Sequence, residues 1–479
     1  MKKSFKLIGL SSTLVLSVIA TAFAGVSSGA LASDNLEKSY LIAYKGDLPT
    51  NYQETIEQAG GHVERAIPEV GIVSVTSDNA AFLSTIRGDQ QVAAADVELE
   101  MYLEGEPQAA DGQPVTDIPQ PDWNDPNQNY HDIQWDVKRI TNDFKSYEIN
   151  KGNHDTVVAV IDSGIDFGHP DLKANADEAG SKTFVPGTTD AWDFNGHGTH
   201  VAGSIAANGK LLGVGPELTV RAYRVFGATG GAQQSWITDA IVAAANDGVE
   251  VINMSIGGWR WMANNFGEKG DSASLVAYHR AIQYAIKKGA VVVVSSGNDS
   301  KDLGSLHDMQ QYWLDNYGVY VKGPSRVVPA QIPGVLTVSS TNQWSTDNIA
   351  FYSNYGNPID ISAPGGDNGP VYDGLYRQDP KGNYLNKRDF HYRALSTYPT
   401  YLAPYVTSNL KGYALMHGTS MAAPKVAGIA GVIKAAHPEY SPAQVAALIR
   451  QSASDFGKVG QDPLFGAGEA NIYNALTAK

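Results

Sequence analysis

The chain of 479 residues contains no cysteine. That excludes a disulfide framework, a thiolate nucleophile and a cysteine-based zinc site. Basic residues are the minority: 35 Lys and Arg stand against 50 Asp and Glu, a formal charge of −15. A surface of that sign suits neither nucleic acid nor an anionic membrane, so neither is expected as a partner. Long apolar runs are scarce as well. One lies at the N-terminus, from Leu7 to Ala24, and Ser and Thr break it. Lys2, Lys3 and Lys6 precede it, and small-residue patterns occur at Ala22-Phe23-Ala24 and Ala30-Leu31-Ala32. This is the layout of a secretory signal peptide, expected over residues 1–32. A membrane anchor is the rival reading. The short, hydroxyl-broken core without a stop-transfer flank disfavours it. The protein is therefore expected to be secreted and extracellular, without stable membrane association.

Glycine is plentiful at 49 residues, proline moderate at 23, and 43% of the chain is hydrophobic. That balance fits a turn-rich α/β protein with a large core. Residues 33–104 read as a module of their own. Strands are expected at Tyr40–Tyr44, Val63–Ile67, Ile72–Val75 and Val92–Leu99. Helices are expected at Tyr52–Ala59 and from an Asp78 N-cap to about Gly88. The order β-α-β-β-α-β is that of a compact ferredoxin-like α+β unit. Residues 105–128, GEPQAADGQPVTDIPQPDWNDPNQ, lose all apolar periodicity and read as an exposed, cuttable linker.

From residue 129 to 479 buried strands alternate with helices. Strands are expected at Thr156–Ile161, Val220–Val225, Val249–Met254, Ala290–Val294, Val335–Ser339 and Ile359–Ser362. Helices are expected at Trp236–Asn246, Ser272–Lys288, Ser420–Ala436 and Pro442–Ser452. Near-continuous apolar strands between helices predict a mostly parallel sheet flanked by helices on both faces. Such sheets place their sites at the carboxyl ends of strands.

Four segments carry candidate chemistry. Asp162 follows the strand Val158-Ala159-Val160-Ile161 directly, with Gly164 close behind. It reads as a sheet-edge carboxylate or a turn acid. His197 lies between Gly196 and Gly198 at the start of a small-residue helix, where glycine lets other backbone approach the imidazole. His200, one turn on, raises the alternative of a metal pair, but no Glu completes a zinc-hydrolase pattern. Ser420 opens an Ala/Gly-rich helix whose free N–H groups suit a developing oxyanion. Taken alone, the plain N-cap reading would win, since capping Ser are common. Asn298 follows the strand Val293-Val294 and Gly297, where a turn residue is the plain alternative.

Taken in order, DSGIDFGHPDL, GHGTHVAG and GTSMAAPKVAG closely resemble the subtilisin family of serine proteases. The resemblance runs from about Pro126 to Leu476 and implies a subtilisin-like fold with an Asp-His-Ser triad. It makes Ser420 the nucleophile, His197 the general base and then acid, and Asp162 the residue that orients His197. It makes Asn298 the oxyanion donor. Ser255, Ile256, Gly257 and Gly258 match the strand end that pairs with extended substrate. Gly230 and Gly231 match the segment on the substrate's other side. Ser296 and Gly297 then border the pocket for the residue before the scissile bond. Asp299 follows, with Asp302 and Asp308 nearby, and its acid leads us to expect Arg or Lys at that substrate position.

The same resemblance makes residues 33–104 a propeptide, acting as folding aid and intramolecular inhibitor of a zymogen. Self-cleavage is then expected between about Glu100 and Gln128. The partners are polypeptide substrates, and the enzyme is expected to be a monomer. No cofactor is needed for the chemistry. Many family members wrap a calcium ion in a loop after the His helix, and Asp171 and Asp125 occupy matching positions. Here that loop, residues 205–213, is short and carries Lys210. Residues 366–411, rich in Tyr, Asn and Gly, form an insertion that resembles those of lantibiotic leader peptidases. Two enzymatic readings follow: an endopeptidase of broad or moderate specificity, and a processing peptidase dedicated to one precursor.

Overall fold

The computed structural model describes residues 37–103, 115–228, 230–265 and 270–478. The expected signal peptide lies outside the described residues. The N-terminal unit contains β1 (Lys38–Tyr44), α1 (Tyr52–Gln58), β2 (His62–Ile67), β3 (Ile72–Ser77), α2 (Phe82–Arg87) and β4 (Val92–Val97). Its four strands form an antiparallel sheet in the order β2-β3-β1-β4. Alternation along β1 sorts its side chains between two cores. Tyr40, Ile42 and Tyr44 pack under α1 and α2 with Ile56 and Phe82. Leu41 and Ala43 face the opposite way, into the core of the following domain. The helix expected at Asp78 begins later, because the Asn79 side chain turns the chain first by accepting the Ala81 N–H at 3.0 Å.

β5 (Glu100–Tyr102) leads away from this unit. The main domain then runs through α3 (Trp135–Ile140), β6 (Val157–Asp162), β7 (Lys182–Thr183), α4 (His197–Ala206) and β8 (Thr219–Arg224). Next come β9 (Gly231–Gln233), α5 (Gln234–Asn246), β10 (Val251–Met254), β11 (Gly258–Trp261), α6 (Ser272–Lys288) and β12 (Val291–Ser295). They are followed by α7 (Leu306–Tyr317), β13 (Ser325–Val328), β14 (Leu336–Thr341), β15 (Ile361–Pro364) and α8 (Pro370–Gln378). The last elements are β16 (Ala394–Thr397), β17 (Tyr413–Met416), α9 (Thr419–Ala436), α10 (Pro442–Gln451) and α11 (Ile472–Thr477).

Seven strands form one parallel sheet in the order β15-β14-β12-β10-β6-β8-β7. Both faces are covered, so both sides of each strand are apolar. Val158 and Val160 of β6 pack on the side of α4 and α9, while Ala159 and Ile161 pack on the side of α5 and α6. Each such Val or Ile contributes roughly 1.5–3 kcal/mol of burial free energy. The core is thus the expected α/β sandwich, and its parallel strands direct all their carboxyl ends to one edge.

Three features depart from the sequence reading. Residues 115–128 are docked, not free: Val115 N–H donates to Thr407 O at 2.9 Å, and the Trp123 ring stacks 5.2 Å from Tyr413. Apolar partners supplied from far along the chain hold this segment despite its polar composition. The 366–411 insertion is partly internal, because β16 is buried along its length and pairs antiparallel with β17. Finally, β11 and β13 form an antiparallel pair, and α7 lies against them through Trp259, Trp261, Tyr312 and Trp313.

One buried ion pair crosses the domain. Lys425 of α9 is fully buried, and its Nζ lies 2.8 Å from Asp136 Oδ2 of α3, itself buried. The same ammonium donates to Met421 O at 3.1 Å. Removing one partner strands the other charge. In a Ser420→Ala background, chosen to prevent self-digestion, Lys425→Met is expected to cost about 3–5 kcal/mol in urea unfolding. Lys425→Met combined with Asp136→Leu should recover much of that loss, and a single change without effect would refute the pair's role.

Candidate active site

The site forms where β6 and β10, neighbours in the sheet, end beside the starts of α4 and α9. Asp162 is the last residue of β6 and has no exposed surface. A carboxylate buried so fully needs donors. Ser163 N–H supplies one at 2.7 Å. His197 Nδ1 supplies the other, 2.8 and 2.9 Å from the two carboxylate oxygens. Because a carboxylate only accepts, Nδ1 carries the proton and Nε2 is left with the lone pair that a general base requires.

His197 reaches this position because the chain before it turns through Gly196 at φ 105°. A Cβ at Gly196 would lie 2.1 Å from the Tyr398 ring, and one at Gly198 would lie 2.2 Å from Gly164 O. Both flanking glycines are therefore demanded by close approach. His200 faces the other way. Its Nε2 donates to Ala414 O at 3.1 Å and Ala394 O at 3.3 Å, and burial pushes its pKa down to about 3. It is a neutral core residue, which removes the metal-pair alternative.

Ser420 lies in the first turn of α9 and is largely buried. Its hydroxyl donates to Ser255 O at 3.1 Å, and Ser255 Oγ donates back to Ser420 O at 2.8 Å. This exchange fastens the helix start to the end of β10. Asn298 follows β12 and accepts from both the Thr419 N–H, at 2.9 Å, and the Thr419 hydroxyl, at 2.8 Å. With its oxygen engaged there, the amide presents its NH₂ to the cleft. Asn298, Ser420, Ser255, Ile256 and Gly257 line one narrow space.

That space is closed on its outer side by β5. Met101 pairs with Ala232 and Tyr102 with Gly231, and Leu103 N–H donates to Gly230 O at 3.0 Å. Gly230 and Gly231 thus lie beside an extended segment of the chain's own N-terminal part. Gly258 has a different neighbour, because it begins β11 and pairs with Val328 of β13. Gly297 borders the cleft, but the Ser296 hydroxyl turns inward and donates to Asn354 O at 3.3 Å. Ser296 is fully buried, so its side chain is no part of the pocket wall.

Asp299 Oδ2 accepts from Trp259 Nε1 at 2.9 Å and from Asn354 Nδ2 at 3.0 Å. Burial raises its pKa, while the Asn354 and Trp259 bonds and the Lys301 charge oppose that shift. Asp302 and Asp308 are occupied locally. Asp302 Oδ1 accepts from Gly304 N–H, and Asp308 joins Ser305 in the cap of α7. Sequence reasoning missed Trp259 and Asn354 altogether, since each reaches Asp299 across a long chain separation.

The two calcium candidates have other partners. Asp171 is buried and accepts from the Lys210 and Leu211 N–H groups at 2.9 and 3.0 Å and from the Tyr413 hydroxyl at 3.0 Å. The side chain of Asp125 accepts from Asn127 and Gln128, and its carbonyl accepts from the Lys210 ammonium. Calcium needs six to eight oxygen ligands, whereas here the carboxylate of Asp171 is filled by donors and a lysine supplies the cation. These residues do not fit the ion. No group of three or more metal-ligating side chains occurs among the described residues.

A buried Asp-His pair, a serine at a helix N-terminus and an amide donor beside it define a serine hydrolase on a parallel α/β sheet. The chain matches the family described as the subtilase family over residues 153–468, and it belongs to that family. It is a subtilisin-like serine endopeptidase. It is 28% identical over 471 residues to the epidermin leader peptide-processing serine protease EpiP of Staphylococcus epidermidis, covering 93% of this chain and 94% of that one. Against the nisin leader peptide-processing serine protease NisP of Lactococcus lactis subsp. lactis it is 32% identical, covering 64% of this chain and 44% of that one. The crystal structure of EpiP from Staphylococcus aureus superposes with a TM-score of 0.73 at 29% identity, covering 92% of this chain and 98% of that one.

The lysine substitute for a metal has a measurable consequence. EDTA is expected to leave the thermal midpoint of the Ser420→Ala protein unchanged. Lys210→Met is expected to lower it by several degrees, because Asp125 O loses a charge-assisted donor. A midpoint that falls on chelation and returns with calcium would overturn this assignment.

Proposed function

We propose that this protein is a secreted processing endopeptidase that cleaves a precursor polypeptide after a basic residue and is held inactive by its own N-terminal unit. The observation that carries the catalytic part is the bond from His197 Nδ1 to Asp162. It leaves Nε2 as the base for Ser420, whose hydroxyl is too weak an acid to attack unaided. In this reading Ser420 Oγ adds to the substrate carbonyl as its proton passes to His197. Asp162 stabilises the imidazolium that forms. Asn298 Nδ2 and the Ser420 N–H at the start of α9 hold the oxyanion. His197 then protonates the leaving amine, and water hydrolyses the acyl-enzyme by the same route.

The processing reading draws support from the leader-processing proteases named above, which this chain resembles over most of its length. Secretion is supported by the N-terminal sequence. No helix among the described residues is long and apolar enough to cross a membrane. The preference for Arg or Lys draws support from Asp299, whose carboxyl is oriented by the Trp259 and Asn354 N–H donors. A substrate guanidinium would supply the opposite charge.

The strand order β2-β3-β1-β4 supports a ferredoxin-like propeptide. Its docking has a simple electrostatic basis. Asp96 Oδ2 accepts from the Ala273 N–H at 2.6 Å and from the Ser272 hydroxyl at 3.1 Å, at the start of α6. Glu98 accepts from the Ser235 N–H at 2.6 Å, at the start of α5. Carboxylates at two helix N-termini satisfy orphan donors and meet the positive ends of the dipoles. Beyond them β5 lies in the cleft as an added strand. Release by self-cleavage then falls beyond Leu103, and the docked segment from Val115 stays with the enzyme.

Two measurements test this. N-terminal sequencing of the secreted protein should show a chain beginning shortly after Leu103, while Ser420→Ala should remain joined to its N-terminal unit. A joined wild type that still hydrolyses substrate would refute the propeptide role. In a peptide panel varied before the scissile bond, Arg and Lys should be preferred, and Asp299→Ala should reduce that preference by about tenfold or more. An apolar preference that Asp299→Ala leaves intact would refute the basic specificity.

A further inference from the structure

A second buried carboxylate, that of Asp193, lies behind the Asp162–His197 pair, and the mechanism above does not use it. Asp193 has no exposed surface. Its Oδ1 accepts from the Ser163 hydroxyl at 2.9 Å, the Asn195 N–H at 2.9 Å and the Gly196 N–H at 2.8 Å. Its Oδ2 accepts from the Thr199 N–H at 2.9 Å and the Thr199 hydroxyl at 2.7 Å. These donors belong to two different parts of the site. Ser163 follows Asp162 at the exit of β6, whereas Gly196 and Thr199 bracket His197 at the entry of α4. Ser163 Oγ, in turn, accepts from the Gly198 N–H at 2.9 Å.

We propose that Asp193 is a positioning residue that sets the distance between Asp162 and His197, and that residues 397–401 of the inserted segment hold it in place. The proposal rests on the triad reading above. The insertion touches this assembly at several points. Tyr401 donates its hydroxyl to Asp193 O at 2.7 Å. Thr397 donates to Thr199 O at 2.7 Å. Thr400 donates from both N–H and hydroxyl to Asp166 Oδ2, each at 2.8 Å, and Asp166 N–H donates to Thr199 Oγ1 at 3.0 Å.

The physical argument is one of shared rigidity. A hydrogen bond between two catalytic side chains works only if their backbones keep a fixed separation. Strand β6 and helix α4 are joined through a long connection that does not impose one. A single carboxylate accepting from both ends does. Full burial makes its donors costly to lose, so the geometry is stiff.

The test measures the inactivation rate of the processed protein by a fluorophosphonate probe over a range of probe concentrations, with thermal unfolding in parallel. Asp193→Asn keeps the size but turns one of the two acceptor oxygens into a donor. It is expected to lower the limiting rate by about 100-fold while leaving the half-saturating concentration unchanged. Ser163→Ala and Thr199→Val, milder changes, should each lower it about fivefold. Tyr401→Phe should lower it too, by less, because the insertion acts one step further back. Asp193→Asn folded and labelled at the wild-type rate would overturn the proposal. If that variant does not fold, wild-type rates in the folded Ser163→Ala and Thr199→Val proteins would overturn it equally. A purely structural role would lower the unfolding midpoint without changing the rate per folded molecule. Failure of the triad reading itself is distinguishable, since Ser420→Ala would then still be labelled.

Discussion

The structure depends on keeping the Asp162 carboxylate charged in a place that water does not reach. Burial of an isolated charge is prohibitive unless hydrogen-bond donors replace its hydration. The donors here are the Ser163 N–H and the His197 imidazole. Their supply fixes much else. The strand must end at Asp162 so that the next N–H can fold back. The His must open a helix, with glycines on both sides, so that the imidazole comes close enough. The parallel sheet delivers both conditions, because its strands end at one edge and α4 and α9 begin there.

The same edge explains how far the elements that matter lie apart in sequence. Ser255, Asn298 and Ser420 follow a strand or open a helix, and their mutual bonds tie β10, the turn after β12 and α9 together. The N-terminal unit uses that geometry in its own way. It places carboxylates on the free N–H groups of α5 and α6, and then extends β5 along the cleft, paired with β9. Helix starts thus serve twice in this molecule, once as the setting of Ser420, the proposed nucleophile, and once as the docking ground of the N-terminal unit.

The central strands and the motif residues were readable because their determinants are local. Val157–Asp162 and Val291–Ser295 are dominated by β-branched residues, and the helix over Ser272–Lys288 ends at a left-handed Gly289 as its sequence indicates. The supports of the site were not readable. Asp193 shows only a turn-forming Asp-Phe-Asn-Gly pattern, and its meaning comes from Ser163, thirty residues earlier, and Tyr401, some two hundred later. Helix α7 did carry local marks, since Ser305 caps it and Gly318 closes it. Its apolar face, however, is matched to β11 and β13 across the chain, and no period in the segment reveals that partner. The acids near Asp171 fail for a related reason: a carboxylate's sequence position does not disclose whether cations or N–H groups fill its lone pairs.

In the proposed function, Asp299 links such supports to substrate choice. An acid in a pocket attracts a cationic substrate only if its own charge is not already balanced. Trp259 and Asn354 orient the carboxyl without neutralising it, and burial disfavours its ionised form. A bound guanidinium reverses that preference by supplying the missing charge and further donors. In that proposal, selectivity for a basic residue comes from two sides. The cation is favoured, and a neutral side chain leaves a buried acid with only the Lys301 charge to compensate it. Trp259 is itself stacked on Tyr312 of α7 at 4.4 Å, so the Asp299 carboxyl is oriented from an element outside the central sheet. On the two proposals made above, catalytic geometry and substrate preference rest on separate buttresses, residues 397–401 behind His197 and α7 behind Asp299.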